Sequence, residues 1–257
     1  MGIVNVTPDS FSDGGQFAAT NLAAEHALKL VKEGAAILDI GGESTRPNAT
    51  PVGLQEELDR VIPVIEALVS QVNIPISIDT YKPQVMQASI NAGASIVNDV
   101  RALQEEGALQ VVSKSNAGIC LMHMQGTPQT MQDNPQYDNV VNDVSDFLAV
   151  RLQACIDAGI AKNLILLDPG FGFGKTRAHN IALIRQLEIF VALGQPLLVG
   201  LSRKSVLGQM TGSDVDARLY ASIAASVIAA QKGAKILRVH DVKAMVEALK
   251  VVSAIQI

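Results

Sequence analysis

"AAILDIGG" (residues 35–42) is a short, nearly unbroken apolar run that stops on a carboxylate and two glycines. Alternation of apolar and polar residues would mark a strand wet on one face. Its absence here marks a strand covered on both faces, as in a parallel sheet. The same construction recurs on either side. "GIVNV" (2–6), "PISIDT" (75–80), "SIVNDV" (95–100) and "GICLMHM" (118–124) share it, as do "LILLDPG" (164–170), "PLLVGLS" (196–202) and "KILRVHDV" (235–242). Between the runs lie amphipathic stretches of helical period at 21–35, 54–72, 137–159, 217–234 and 242–255. Several close on Gly-Ala directly before the next run (Gly34, Gly93, Gly233), as a helix C-cap followed by a short loop would.

Eight strands alternating with helices predict an α/β fold, a single (β/α)8 TIM barrel over 1–257. A doubly wound open sheet is the competing topology, but it does not call for a polar residue at every strand end. Those ends supply Asn5, Asp39, Asp79, Asn98, His123, Asp168, Ser202, Arg238 and His240. Parallel strands of one barrel bring such side chains to one rim, the C-terminal ends of the strands, where barrel active sites sit. Asp39 and Asp99 also admit a plainer reading, as acceptors for helix or loop amides.

Composition narrows the function. The net charge of −5 gives no electrostatic case for nucleic acid or for an anionic membrane. No apolar run is long enough to span a bilayer, and the N-terminus has no basic region of a secretory signal. Cys120 and Cys155 are isolated thiols, which suits a reducing cytoplasm. The apolar helix over 217–230 suggests a homodimer face.

Two glycine-rich stretches invite wrong motifs. "DPGFGFGKT" (168–176) has Pro169 where a phosphate-binding P-loop needs glycine. "GLSRKS" (200–205) has Lys204 where a serine-nucleophile elbow needs glycine. The first reads instead as a loop whose backbone approaches a flat ligand closely. The second leaves Arg203 and Lys204 after the seventh strand, which with Arg238 and His240 suggest an anion site. Cys120 and His123 alone make a poor metal site. His26 and His179 read as surface residues. Asp79, Asn98 and Asp168 together suit a planar ring rich in N–H donors.

At this point the chain resembles the dihydropteroate synthases. The resemblance rests on "GIVNVTPDSFSDGG", "DIGGESTRP", "SIDT", "IVNDV", "CLMHMQG", "LLDPGFGFGK", "LVGLSRKS" and "RVHDV", in this order and over nearly the whole chain. It implies a barrel enzyme that joins 7,8-dihydropterin-6-ylmethyl diphosphate to 4-aminobenzoate, giving 7,8-dihydropteroate and diphosphate in folate synthesis. It implies pterin binding by Asp79, Asn98, Asp168 and Lys204, with Met122, Gly172, Phe173 and Gly200 shaping the slot. It implies that Asp79, Asp168 and Lys204 form the catalytic set. Asn5, Thr45, Arg238 and His240 would hold the diphosphate, with Asn5 a ligand of Mg2+. Phe11, Arg46, Pro47, Lys204 and Ser205 would border the 4-aminobenzoate site, which sulfonamides would also occupy. The loop 7–15 would close over the diphosphate. Two departures stand out: Asn48 follows "STRP" where the family commonly has glycine, and the chain begins almost on its first strand, which reads as a shortened N-terminus. Two other functions share the acidic pterin residues: a methyltetrahydrofolate:corrinoid methyltransferase and a non-catalytic pterin-binding protein. Neither needs the cations for diphosphate.

Overall fold

The structure is a computed structural model that describes residues 1–6, 15–45 and 49–255, the side chains of 15–18 excepted. Eight strands lie in one sheet in sequence order, each parallel to the next. They are β1 (Gly2–Asn5), β2 (Leu38–Gly41), β3 (Ile76–Asp79), β4 (Ile96–Asp99), β5 (Gly118–Met122), β6 (Ile165–Asp168), β7 (Leu197–Val199) and β8 (Ala234–Leu237). Gly2 also bridges Val239 beyond β8, Ile3 N–H donates to the Val239 carbonyl, and the Met1 amine donates to the Leu237 carbonyl. These contacts link the start of the chain to the end of β8 and the residues just after it.

Ten helices are described. After β1 comes α1 (Gly15–Lys32), then α2 (Leu54–Val69), α3 (Pro83–Ala92), α4 (Ala108–Ser113) and α5 (Val140–Asp157). The later ones are α6 (Arg177–Arg185), α7 (Leu187–Val191), α8 (Ser205–Thr211), α9 (Leu219–Gln231) and α10 (Val242–Ile255). Gly34, Gly93 and Gly233 take φ of +100°, +113° and +105°, the left-handed turn that lets the chain leave a helix and enter a strand within two residues.

Register decides which side chains meet. Asn5 pairs with Gly41, Gly41 with Asp79, Asp79 with Asn98, Asn98 with Cys120, and Met122 with Asp168. Strand side chains alternate with period two, so these residues share one face. The opposite face carries Leu38, Ile40, Ile76, Ile78, Val97, Ile119, Leu121, Leu167 and Val199. All of these are buried in one core with the helical residues Val61, Val64, Ile65, Leu68, Val144 and Leu148. Each such side chain contributes about 1.5–3 kcal/mol. Ile3, Cys120, Met122 and Leu198 are buried too but lie outside that core, which marks the inner face.

Several boundaries differ from the sequence reading. The first helix starts at Gly15 rather than 21. The eighth strand stops at Leu237, so Arg238 and His240 follow it rather than end it. The helix expected over 217–234 covers only Leu219–Gln231, after a tight 3-10 turn at Val215–Ala217. Five helices (α3, α4, α6, α7 and α8) went unnamed in the sequence reading, the shorter of them having too few residues to show a period.

Candidate active site

The inner face ends in a charged cluster. The Arg238 guanidinium donates from Nε to Asp39 Oδ2 at 2.6 Å and from Nη2 to Asp79 Oδ2 at 2.7 Å. Asn98 Nδ2 donates to the same Asp39 oxygen at 3.1 Å. Burial, above all, raises the pKa of Asp79; the Asp39 carboxylate raises it further and Arg238 opposes the rise. Gly41 and Gly200 keep this cluster open to the mouth. A Cβ on Gly41 would sit 3.6 Å from Asp79 Cβ, and one on Gly200 3.8 Å from both Arg238 Cβ and Lys204 Nζ.

Beside it stands the glycine loop after β6. Gly170, Gly172 and Gly174 all have positive φ, +70°, +80° and +63°, which lets the loop fold tightly round a buried side chain. That side chain is Lys175, 3% exposed. Its ammonium donates to the carbonyls of Gly170 (2.9 Å), Phe173 (2.9 Å) and His123 (3.3 Å) and lies 2.9 Å from His123 Nδ1. Burial and then Lys175 hold the imidazole neutral, pushing its pKa down to about 3. Asn180 and Tyr137 complete the brace: Asn180 Oδ1 accepts from Gly172 N–H and the Tyr137 hydroxyl donates to the Gly174 carbonyl.

The mouth side of the loop carries the ligand-facing groups. Asp168 is buried, and its Oδ1 accepts from Gly170 N–H at 2.7 Å. Burial raises its pKa while Lys204 lowers it. Lys204, at the start of α8, donates to the Phe171 carbonyl and lies 4.6 Å from the centre of the Phe173 ring. Burial pushes this ammonium down to about 8, against the pull of Asp168.

The structure thus gathers Asp79, Asn98, Met122, Asp168, Gly172, Phe173, Gly200, Lys204 and Arg238 around one mouth. Asn5 joins them from β1, on the inner face beside Gly41. Thr45 is half-buried on the loop after β2, Ser205 is exposed at the start of α8, and His240 Nδ1 lies 3.0 Å from Ser202 Oγ, within hydrogen-bond reach. Phe11, Arg46, Pro47, Asn48 and nearly all of the loop 7–15 lie outside the described residues.

Three expectations change. Arg203 does not join an anion site with Lys204: its backbone is left-handed (φ 57°), and its guanidinium is bound by both oxygens of Asp241. Arg238 is no separate basic patch either, because two carboxylates already hold it. His179 is half-buried, forming a capping box with Thr176 and meeting the Tyr137 ring edge-to-face. Asp99 has the plain role, accepting from Arg101 and Leu103 N–H in the turn after β4. No cluster of metal-ligating side chains occurs among the described residues, and His123 is committed to Lys175 rather than to Cys120.

Sequence reasoning missed Lys175, His123 as its partner, and an ionic knot below the loop after β2. In that knot Lys82 binds Glu43 and the fully buried Glu57, while Arg60 donates to the Gly42 carbonyl. One available signal was a lysine inside an otherwise apolar glycine loop.

The parallel sheet and its mixed acidic and basic mouth are those of a pterin binding enzyme by family, since that family matches residues 1–240. The chain is 51% identical over 254 residues to the dihydropteroate synthase of Escherichia coli (strain K12), across 99% of this chain and 90% of that relative. The solved dihydropteroate synthase of Xanthomonas albilineans with 4-aminobenzoic acid superposes with a TM-score of 0.95 at 53% identity, across 100% of this chain and 92% of that one. That of Yersinia pestis, in a sulfonamide drug complex, gives 0.94 at 51%, across 100% and 93%. The chain belongs to the dihydropteroate synthase family. No helix among the described residues is long and apolar enough to cross a membrane.

Proposed function

We propose that the protein condenses 7,8-dihydropterin-6-ylmethyl diphosphate with 4-aminobenzoate to give 7,8-dihydropteroate and diphosphate, on a single closed (β/α)8 TIM barrel in the cytoplasm. The observation that carries this reading is the convergence of Asp79, Asn98, Asp168 and Lys204 on one mouth, beside Arg238, in a chain of this family. The meeting of Gly2 with Val239 supports the closure.

The chemistry follows from what each group offers. A dihydropterin ring presents several N–H donors and a carbonyl. Asp79, Asn98 and Asp168 supply acceptors, and Lys204 supplies the donor. The bond that breaks joins the pterin methylene to a diphosphate oxygen, and its electrons leave with the diphosphate. The ring stabilises the cation left behind, and the Asp168 carboxylate stabilises it further by charge. Among the described residues Arg238 uses only Nε and Nη2, so Nη1 remains to meet the leaving diphosphate with His240, Asn5 and Thr45. The neutral arylamine nitrogen then attacks the methylene and loses a proton. It needs no strong base. Ser205, Phe11, Arg46 and Pro47 would border this second substrate, and sulfonamides would compete for the same place.

Asn5 offers one hard, neutral oxygen on the inner face beside Asp79, a fit for Mg2+ that arrives on the substrate's own oxygens. Bound there, Mg2+ would supply charge neutralisation for the leaving group. An apolar α9, with Tyr220 82% and Ile228 45% exposed, supports a homodimer through that helix.

Incubation with both substrates and Mg2+ should yield 7,8-dihydropteroate and release diphosphate, and excess chelator should abolish the release. No product would leave only a pterin-binding protein; full turnover in chelator would remove the metal from the scheme.

A further inference from the structure

Asp39 lies outside the pterin-binding and diphosphate-binding residues assigned above, yet two of them depend on it. It sits one strand position below the mouth on β2, facing inward, and is 0% exposed. A single oxygen, Oδ2, accepts from Asn98 Nδ2 at 3.1 Å and from Arg238 Nε at 2.6 Å. Its other oxygen, Oδ1, has no partner among the described residues. A buried carboxylate oxygen left unpaired is a cost to folding, which a residue serving stability alone does not account for.

The consequence for Asn98 is specific. An amide has one accepting and one donating end, and rotation by half a turn exchanges them. The Asp39 carboxylate accepts and cannot donate, so it fixes Nδ2 towards itself and turns the Asn98 carbonyl oxygen the other way. The same oxygen fixes the guanidinium plane of Arg238 from the Nε side, while Asp79 fixes it from Nη2.

We infer that Asp39 is a positioning residue for ring recognition, holding Asn98 so that it presents an acceptor to the ligand's N–H edge and holding Arg238 in the same plane of bonds. This rests on the pterin reading of the mouth. The contact acts through Asn98 and Arg238, because Asp39 is too deep to touch a ligand itself. It also explains why a carboxylate stands here: a neutral asparagine could rotate and offer either end to Asn98, whereas a carboxylate offers only acceptors.

The test is a double-mutant cycle read by calorimetric titration of 6-(hydroxymethyl)pterin into the full chain. Asp39→Ala should weaken binding by about tenfold or more, the scale of one charge-assisted hydrogen bond. Asn98→Ala should do likewise. In the Asn98→Ala background, Asp39→Ala should cost less than about threefold, because Asn98 is gone and this probe carries no diphosphate for Arg238 to meet, while its cost in thermal stability persists. Asp39→Asn, which retains an acceptor, should recover part of the loss. Independent, multiplying losses would overturn the proposal, as would an Asp39→Asn protein that binds no better than Asp39→Ala. If Asp39→Ala does not fold, the cycle runs on Asp39→Asn with the same criterion: a cost that vanishes without Asn98 upholds the inference, and one that persists defeats it. Failure of the unmutated chain to bind the pterin would instead defeat the reading of the mouth.

Discussion

Lys175 and Lys204 lie on opposite sides of one glycine loop and face the same choice of partners, backbone carbonyls and a carboxylate. Lys175, on the underside, meets three carbonyls and an imidazole nitrogen. An ammonium has three protons to give, so this one is saturated. Lys204, on the mouth side, makes one hydrogen bond among the described residues, to the Phe171 carbonyl, and Asp168 is the charge that most favours its ammonium. It retains protons for a ligand. One lysine therefore holds the loop and the other works from it. Lysines that look alike in composition are separated by how completely the fold satisfies them.

The sharpest way to break this contrast is to remove the loop on which both depend. A Cβ at Gly170 would fall 1.9 Å from the His123 carbonyl oxygen, at a φ of +70°. Gly170→Ala should cost more than about 4 kcal/mol, seen as loss of the cooperative urea transition. A variant that melts like the parent would show that the loop does not need its tight turn.

Lys175→Met comes next. It leaves inward carbonyls without a donor and should destabilise by about 2–4 kcal/mol in denaturant titration, with pterin affinity falling alongside. Lys204→Met should behave in the opposite sense. Its stability should stay within about 1 kcal/mol, because one partly satisfied ammonium is lost from a site where burial disfavours it. Its kcat/KM should fall by about 100-fold, equivalent to roughly 2.7 kcal/mol of transition-state binding. If the two variants exchanged behaviours, the distinction drawn from their bonding would fail.

Asp168→Asn tests the carboxylate between them. The shape and the acceptor for Gly170 N–H are preserved but the charge is removed, so turnover should drop by about tenfold or more with little change in melting temperature. Unchanged turnover would remove charge stabilisation of the cationic ring.

The smallest effect is a pH profile. Burial lowers the Lys204 pKa to about 8, so its ammonium is present below that pH and is lost as pH rises through it. kcat/KM for the pterin substrate should fall above about pH 8. Lys204→Arg keeps its charge at any pH in the protein's range and should move that falling arm upward, whatever its absolute rate. An arm that stays at the same pH in the arginine variant belongs to another group.

The strands and their order were legible in the sequence because strands covered on both faces are apolar throughout, and runs as short as "ILDIG" or "LILLD", set between helical stretches and closed by glycine, suit strands rather than helices. The polar residues that stop them were legible for the same reason: a carboxylate at the end of such a run has no apolar explanation. The left-handed glycines before β2, β4 and β8 announced themselves through Gly-Ala. The partners were not legible. Arg203 and Lys204 are adjacent, yet one turns to Asp241 and the other to the mouth, because a left-handed residue at 203 swings the chain between them. Asp39 and Asp99 both end apolar runs, yet the first faces inward to Arg238 and the second caps a turn, because they occupy opposite parities of their strands. Sequence fixes which groups must leave water or stop a strand, since burial depends on residue type. Pairing depends on directions that converge across 159 residues, as from Asp79 to Arg238, and only the tertiary arrangement of the strands sets those directions.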